Sequence, residues 1–355
     1  MKVQRKSFFI AAAAAAAIVV PAHAAGLKQV GTISLPGDPP TDIGVIAIDQ
    51  ASGLGYLADK TNKSVVVFDT KTDTFVSRIG GFVGLMKNSN ASGPNGIAVV
   101  NDGAELWVSD GDSTIKIIDP KTGKIVETIS TGGTVRANAM AVGKGVVIVA
   151  NSNDDPPYLS FVSTEPGHKI LGKIPVPESG ENLERSAYHA ASGTFFTVIP
   201  VQRGDITKGF LAQTDPKTGK MVKLHDLDNC HAHSLSIVSD TTIFLGCSTV
   251  HAPTPKPGGD LAVFDIPGGK VSGYGPGLGG NGSSATNLGL GQYYHATTGG
   301  TLMVVDTKTQ QPVQKVPTSN GARSLGVSLA NNRVYVATTA KDTPCVGCIV
   351  VYAPE

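Results

Sequence analysis

The chain has 355 residues, 41% of them hydrophobic and 16% charged, and its 29 basic side chains nearly balance 28 acidic ones. That composition excludes a disordered chain and supplies no basic excess for nucleic acid, so no nucleic-acid partner is expected. The 43 glycines and 22 prolines point to short elements joined by tight turns.

Residues 1–24 read as a secretory signal: a basic start at Lys2, Arg5 and Lys6, an apolar run from Phe8 to Val20, and the small-residue pattern Ala22-His23-Ala24. The run is short for a membrane span, so cleavage after Ala24 is expected rather than a retained anchor. Removal takes away three of 29 basic side chains and no acidic one, leaving a net charge of 26 − 28 = −2. The expectation is a periplasmic or secreted protein with no membrane span in its mature form. Residues 25–355 then form one domain.

From Ser64 onward, six segments end an apolar run with the same kind of polar turn: SVVVFDTKTDT, TIKIIDPKTGK, YLSFVSTEPGHK, FLAQTDPKTGK, LAVFDIPGGK and TLMVVDTKTQQ. Registered on Asp69, Asp119, Ser163, Asp215, Asp265 and Asp306, they step by 50, 44, 52, 50 and 41 residues. A period of this length is one four-stranded propeller blade. Within the best repeat, Gly93 to Ser130, the runs Ile97–Val100, Glu105–Ser109, Ile115–Asp119 and Ile125–Ile129 alternate with Asn-Asp-Gly, Asp-Gly-Asp-Ser and Pro-Lys-Thr-Gly turns. No amphipathic helical stretch competes.

The mature 355 − 24 = 331 residues hold seven such units, the seventh split between the chain's ends. CIVVYAPE at Cys348–Glu355 matches a third strand with no fourth behind it, whereas LKQVGTISLPG at Leu27–Gly37 resembles the fourth strand KIVETISTGG at Lys124–Gly133. The fold predicted is all-β, a seven-bladed propeller whose N-terminal strand, Leu27 to Leu35, closes the last blade beside Ile349 to Tyr352. The glycine-rich tract Gly273–Gly291 reads as a long crossing between blades, since no helix follows to make it a phosphate loop.

The repeat Gly93–Ser130, echoed in its first half by GARSLGVSLANNRVYVATT at Gly321–Thr339, resembles the YVTN-type repeat of bacterial secreted seven-bladed propellers. The resemblance covers about residues 27–355 and implies architecture far more than activity. Relatives of that kind include surface-binding proteins, heavy subunits of periplasmic amine dehydrogenases, lactonases and streptogramin lyases. The metal-site acids and asparagines of the last two do not map cleanly here; Glu184 and Asn95 alone are suggestive.

If strand a of each blade lines the channel, the residues leading into it share one rim with the loops between strands b and c. Asp42, Asn95, Arg136, Asn138, Glu184, Arg185, His231, His233 and Arg323 then face one cavity, with Gly282–Asn287 the least well registered. Arg136, Arg185 and Arg323 there favour a small polar or anionic ligand. A water-filled channel whose polar side chains only satisfy backbone groups is the plainer alternative.

In NCHAHSLSIV, strand alternation puts His231 and His233 on one side, where they could bind a divalent metal, act as acid–base groups with Glu184, or only contact ligand. His189, His251 and His295 are the further candidate ligands, although no third ligand or supporting shell is visible in sequence. Cys230 and Cys247 flank a predicted hairpin and Cys345 and Cys348 form CVGC, so two disulfides are expected, with a redox dithiol in CVGC or a Cys-His metal site as alternatives. No nucleophile elbow, Walker loop or dinucleotide fingerprint occurs. Two functions stay open: a module binding a small ligand or another periplasmic protein, and a metal- or histidine-dependent lyase or hydrolase.

Overall fold

The computed structural model describes residues 25–249, 258–339 and 345–355. The signal expected over residues 1–24 and the candidate ligand His251 lie outside the described residues. The rest forms seven four-stranded antiparallel sheets. Six run in chain order: blade one opens with Ile43–Ile48, two with Ile97–Val100, three with Met140–Gly143, four with Ser186–His189, five with His231–Ser239 and six with Gly282–Asn287. Blade seven takes Ser324–Ser328, Arg333–Ala337 and Cys348–Pro354, and its outer strand is Leu27–Ser34. Ile33 pairs with Ile349 and Lys28 with Ala353, so the first strand closes the ring as expected. The innermost strands touch in cyclic order, and strand a of blade seven packs on that of blade one.

The repeated turn has a local cause. All six registration residues are the last residue of a strand c. Asp119 Oδ1 accepts the amide of Lys121 at 2.9 Å and Asp215 Oδ1 that of Lys217 at 2.8 Å, while in blade three Ser163 Oγ accepts from Glu165 N at 3.1 Å. Each side chain thus mimics a backbone turn two residues on. Gly123, at φ 67°, then takes the left-handed position, which Asp73 fills in blade one and Gln310 in blade six.

Every blade also carries an extra residue in its outermost strand at the same place in the c–d ladder. In five blades it is Val30, Val76, Val126, Leu171 or Val222, all exposed. These apolar residues stand outside because the bulge turns them there, and the bent ladder is a poor template for another strand. Between blades, apolar faces of adjacent sheets interlock. Trp107, for example, is fully buried with Ile115 and Ile117 against Val147 and Val149 of the next blade.

The tract at Gly273–Gly291 differs from the expectation of a single crossing. It finishes the outer strand Lys270–Pro276 of blade five and supplies the innermost strand Gly282–Asn287 of blade six. Strand propensity is low, but the backbone there leaves no room for a side chain: a Cβ on Gly282 would stand 1.8 Å from the Ala296 carbonyl oxygen of its partner strand in the same blade. Among the described residues only two short 3-10 turns, Ser89–Ala91 and Asn101–Gly103, interrupt the β structure, and no helix is long and apolar enough to cross a membrane.

Candidate functional site at the channel mouth

The backbone leading into each strand a is fixed before any side chain is chosen. A Cβ on Gly44 would stand 2.2 Å from the carbonyl oxygen of Asn95 in blade two, and one on Gly96 would stand 2.4 Å from that of Asn138 in blade three. Only glycine permits this blade-to-blade approach, and Val45 N donates to Asn95 O at 3.1 Å across the first of these contacts. In blade four, Glu184 N donates to Val198 O and Val198 N to Arg185 O, both at 3.0 Å, so two oppositely charged neighbours start from a pinned backbone.

These segments enclose a cavity of ≈ 330 Å³ to which every blade contributes. Lys60 comes from blade one, Asn95 from two, Arg136 and Asn138 from three, Glu181, Asn182, Glu184 and Arg185 from the approach to four, His233 from five, Asn281 and Ser283 from six, and Arg323 from seven. Below it lies a smaller space of ≈ 170 Å³ lined by Val45, Ile46, Ile97, Met140, Leu235 and Leu325 among others. Arg185 and Ser283 border both, and Arg185 Nη2 donates to Ser283 Oγ at 3.1 Å from blade four to blade six. That contact floors the upper cavity.

Four cations crowd this space. Burial lowers the proton affinity of Lys60, Arg136 and Arg185; Asp42 opposes this at Lys60 and Arg136 and Glu184 at Arg136 and Arg185, while Arg323 adds a smaller repulsion at each. Asp42 sits at the edge, 3.1 Å from Lys60 Nζ and 3.7 Å from Arg323 Nη2, and serves both. Among the described residues, neither Arg136 nor Arg185 has a carboxylate within ion-pair distance. Arg136 Nη1 donates to Ser89 O at 3.1 Å, and its buried Nε has no hydrogen-bond partner. Asn95 is largely committed to the scaffold, since its Nδ2 donates to Ser92 O at 2.8 Å.

The two histidines of NCHAHSLSIV part company. Ala232 pairs with Cys247 and Ser234 with Gly246, which leaves His233 as the extra residue of a bulge and breaks the alternation that would put both rings on one side. His233 lines the cavity with Nδ1 4.0 Å from Glu184 Oε1. His231 is buried and donates from Nε2 to Ile206 O in a loop of blade four. Burial holds the His233 ring below the ordinary histidine range, with Glu184 opposing that shift, so the imidazole is neutral at pH 7.

The two remaining metal candidates among the described residues are occupied elsewhere. His189 ends strand a of blade four, at the far end from the mouth, where Nε2 donates to Asp240 O at 3.1 Å. His295 is fully buried between blades; Nε2 donates to Gly280 O at 3.1 Å, Nδ1 accepts from Ser234 Oγ at 3.2 Å, and burial pushes its pKa down to about 4. Among the described residues, no three His, Cys, Asp or Glu side chains converge in a metal-holding group. Both expected cysteine pairs sit at disulfide distance: Cys230 with Cys247 behind the histidine strand, and Cys345 with Cys348 in the rim loop of blade seven.

Lys60, Glu181, Asn182 and Asn281 line the cavity although their sequence context did not mark them, and Ser283 does so from within the poorly registered entry Gly282–Asn287. Lys60 was within reach, because it directly follows strand b of blade one and the b–c loops share the rim. Asn281 and Ser283 sit inside the tract whose glycines suggest a crossing.

No protein-family model matches the chain, and neither does any curated protein sequence. In fold, 1645 chains of solved structures match, a breadth that ties the architecture to no single activity. One, from the crystal structure of mitotic checkpoint complex, superimposes with a TM-score of 0.70 at 11% identity over 99% of both chains. At that identity the likeness is one of fold alone: a seven-bladed β-propeller.

Proposed function

We propose that this chain is an exported propeller of the YVTN-repeat type that binds a small polar ligand with an anionic group in the mouth of its channel. One observation carries the reading. Lys60, Arg136, Arg185 and Arg323 border one cavity, and among the described residues only Lys60 and Arg323 have a carboxylate within ion-pair distance, the shared Asp42. Like charges held together in a partly desolvated space favour an anion that relieves their repulsion, and the planar guanidinium fork suits a carboxylate. The same crowding raises local anion concentration despite the near-neutral net charge.

Calorimetric titration of the mature protein with small carboxylates, phosphate, sulfate and free amino acids tests this. At least one should bind, and Arg185→Ala should weaken it by about tenfold or more, the scale of a charge-assisted hydrogen bond. Absence of binding by all of them, or binding indifferent to Arg136→Ala and Arg185→Ala, overturns the proposal. Capture of another periplasmic protein through an outer blade edge would do the same.

A second reading, lyase or hydrolase chemistry, is favoured by His233: a neutral imidazole beside Glu184 at the edge of the cavity can accept a proton from a bound ligand. Under it, His233→Ala abolishes turnover while binding persists. A divalent metal as partner to that histidine is checked by elemental analysis of the purified protein.

A further inference from the structure

The cavity holds unpaired charge of both signs. Glu184 and Arg185 leave adjacent positions of a backbone pinned to strand b of blade four, yet they form no ion pair. Among the described residues, the one basic side chain within 4.0 Å of Glu184 is the neutral imidazole of His233, and Arg185 donates to the neutral Ser283 hydroxyl. Arg136 faces the same cavity with an unpartnered Nε. Adjacent positions of an extended backbone project their side chains apart, so this carboxylate and this guanidinium are kept from closing on each other although contact in a desolvated space would be favourable. Held apart, they form a dipole waiting for a ligand that carries the opposite one.

We infer that the ligand is a small free amino acid bound as a zwitterion, its carboxylate on Arg136 and Arg185 and its ammonium on Glu184. The inference rests on the proposed ligand site and narrows it. Size agrees: the ≈ 330 Å³ cavity is about twice the roughly 150 Å³ space that holds a benzene ring, room for a molecule of on the order of ten non-hydrogen atoms. So does lining chemistry. No Phe, Tyr or Trp borders the cavity among the described residues, which disfavours a quaternary ammonium, normally held in an aromatic cage, and a flat aromatic ligand. Primary ammonium needs acceptors instead, and Glu184 is joined on the rim by Glu181, with Asn182, whose Oδ1 already accepts from Asn153 Nδ2 at 2.6 Å, and Asn281 beside them.

The test compares each free amino acid with its N-acetylated and its C-amidated derivative, titrated into the mature, disulfide-bonded protein. At least one free amino acid should bind, and blocking either end should weaken it by about tenfold or more, because each block removes one charge-assisted hydrogen bond. Glu184→Gln should bring the free-to-acetylated affinity ratio close to one, a change that mere loss of structure would not produce. If acetate, succinate or the N-acetylated forms bind as well as the free amino acids, the zwitterion inference fails while the anion site stands. If only phosphate or sulfate binds, it fails in the same way. If nothing in either panel binds at millimolar concentration, both readings fall together.

Discussion

The third strands and the segments leading into the first strands belong to the same seven blades, and repetition has treated them differently. In strand c the blades agree: Val65, Ile115, Leu159, Leu211, Leu261 and Leu302 are buried, and an Asp or Ser closes the strand in six of them. At the mouth the agreement is looser: Asn95, Asn138 and Glu184 make the same backbone contact to strand b, and around them a lysine from blade one, arginines from three, four and seven, a histidine from five and a serine from six border the cavity. Burial between sheets asks the same thing of every blade, so it keeps the same residue types. Under the proposed reading, the mouth meets one ligand from seven directions. Departure from the repeat therefore marks the site, and adherence to it marks the scaffold.

Truncation within the scaffold should have the largest effect. Trp107, the chain's one tryptophan, is fully buried between blades two and three, donates from Nε1 to Glu105 Oε2 at 2.7 Å, and meets the His168 ring edge-on at 5.1 Å. Trp107→Ala should cost about 3–5 kcal/mol, the usual range for emptying an aromatic core site. Urea unfolding followed by circular dichroism checks it, because the variant has no indole to follow. A loss below about 1 kcal/mol would mean that the blade interiors are more forgiving than their repetition implies.

His295 lies on the boundary between the two regions, and acid should find it. Its ring faces Ser234, the Gly280 carbonyl, the stacked Tyr293 ring and, more distantly, His233. Because the folded pKa, about 4, lies below the unfolded 6.5, the unfolded chain binds the extra proton between those values. Stability is therefore complete above about pH 6.5 and falls as the pH drops toward 4; 2.5 units at 1.36 kcal/mol each is about 3 kcal/mol. His225 and His233, also held low by burial, push in the same direction. His295→Gln should flatten the dependence of unfolding free energy on pH in that window, and an unchanged slope would show that the ring is not kept neutral.

The two disulfides sharpen the contrast within the rim itself. Cys230 and Cys247 are 17 residues apart and hold the start of the histidine strand to its hairpin partner, whereas Cys345 and Cys348 are only three apart. Loop-closure entropy gives about 3 kcal/mol for the longer loop and about 2 kcal/mol for the shorter. The paired Cys→Ala variants should rank in that order by denaturation midpoint. Ligand affinity should fall with the first pair more than with the second, because His233 follows Cys230 by three residues.

Much of the scaffold is legible in the sequence, and the site only in outline. Asp69, Asp119 and their counterparts work as markers because each closes a turn through its own side chain, a local event that sequence records directly. The closing strand is readable for a similar reason, as Leu27–Ser34 repeats the alternation of Lys124–Ser130. The mouth depends on contacts between blades. Gly44 and Gly96 mark where neighbouring backbones touch, but only coordinates show against what. The bulge that separates His233 from His231 is invisible in a His-x-His spacing, and Gly282–Asn287 has too little β propensity to be recognised as the innermost strand it forms.

Changes at the mouth should disturb stability least, and there the comparison is most exposed to refutation. Arg136 is half-buried, attracted by the more distant Glu184 and Asp42, repelled by Arg323, and has a buried Nε without a partner. Replacing a guanidinium so placed by an unbranched apolar side chain removes a desolvated charge and an unsatisfied donor together, which offsets the lost Nη1 bond to Ser89 O. Arg136→Met should therefore unfold within about 0.5 kcal/mol of the parent, on either side. Its affinity for an anionic ligand should nevertheless drop by about tenfold or more. A variant that loses stability as a Trp107 truncation does would place Arg136 with the scaffold, as a strut between blades. A variant that keeps both stability and ligand binding would leave the cluster of cations at the mouth without the role that its lack of partners implies.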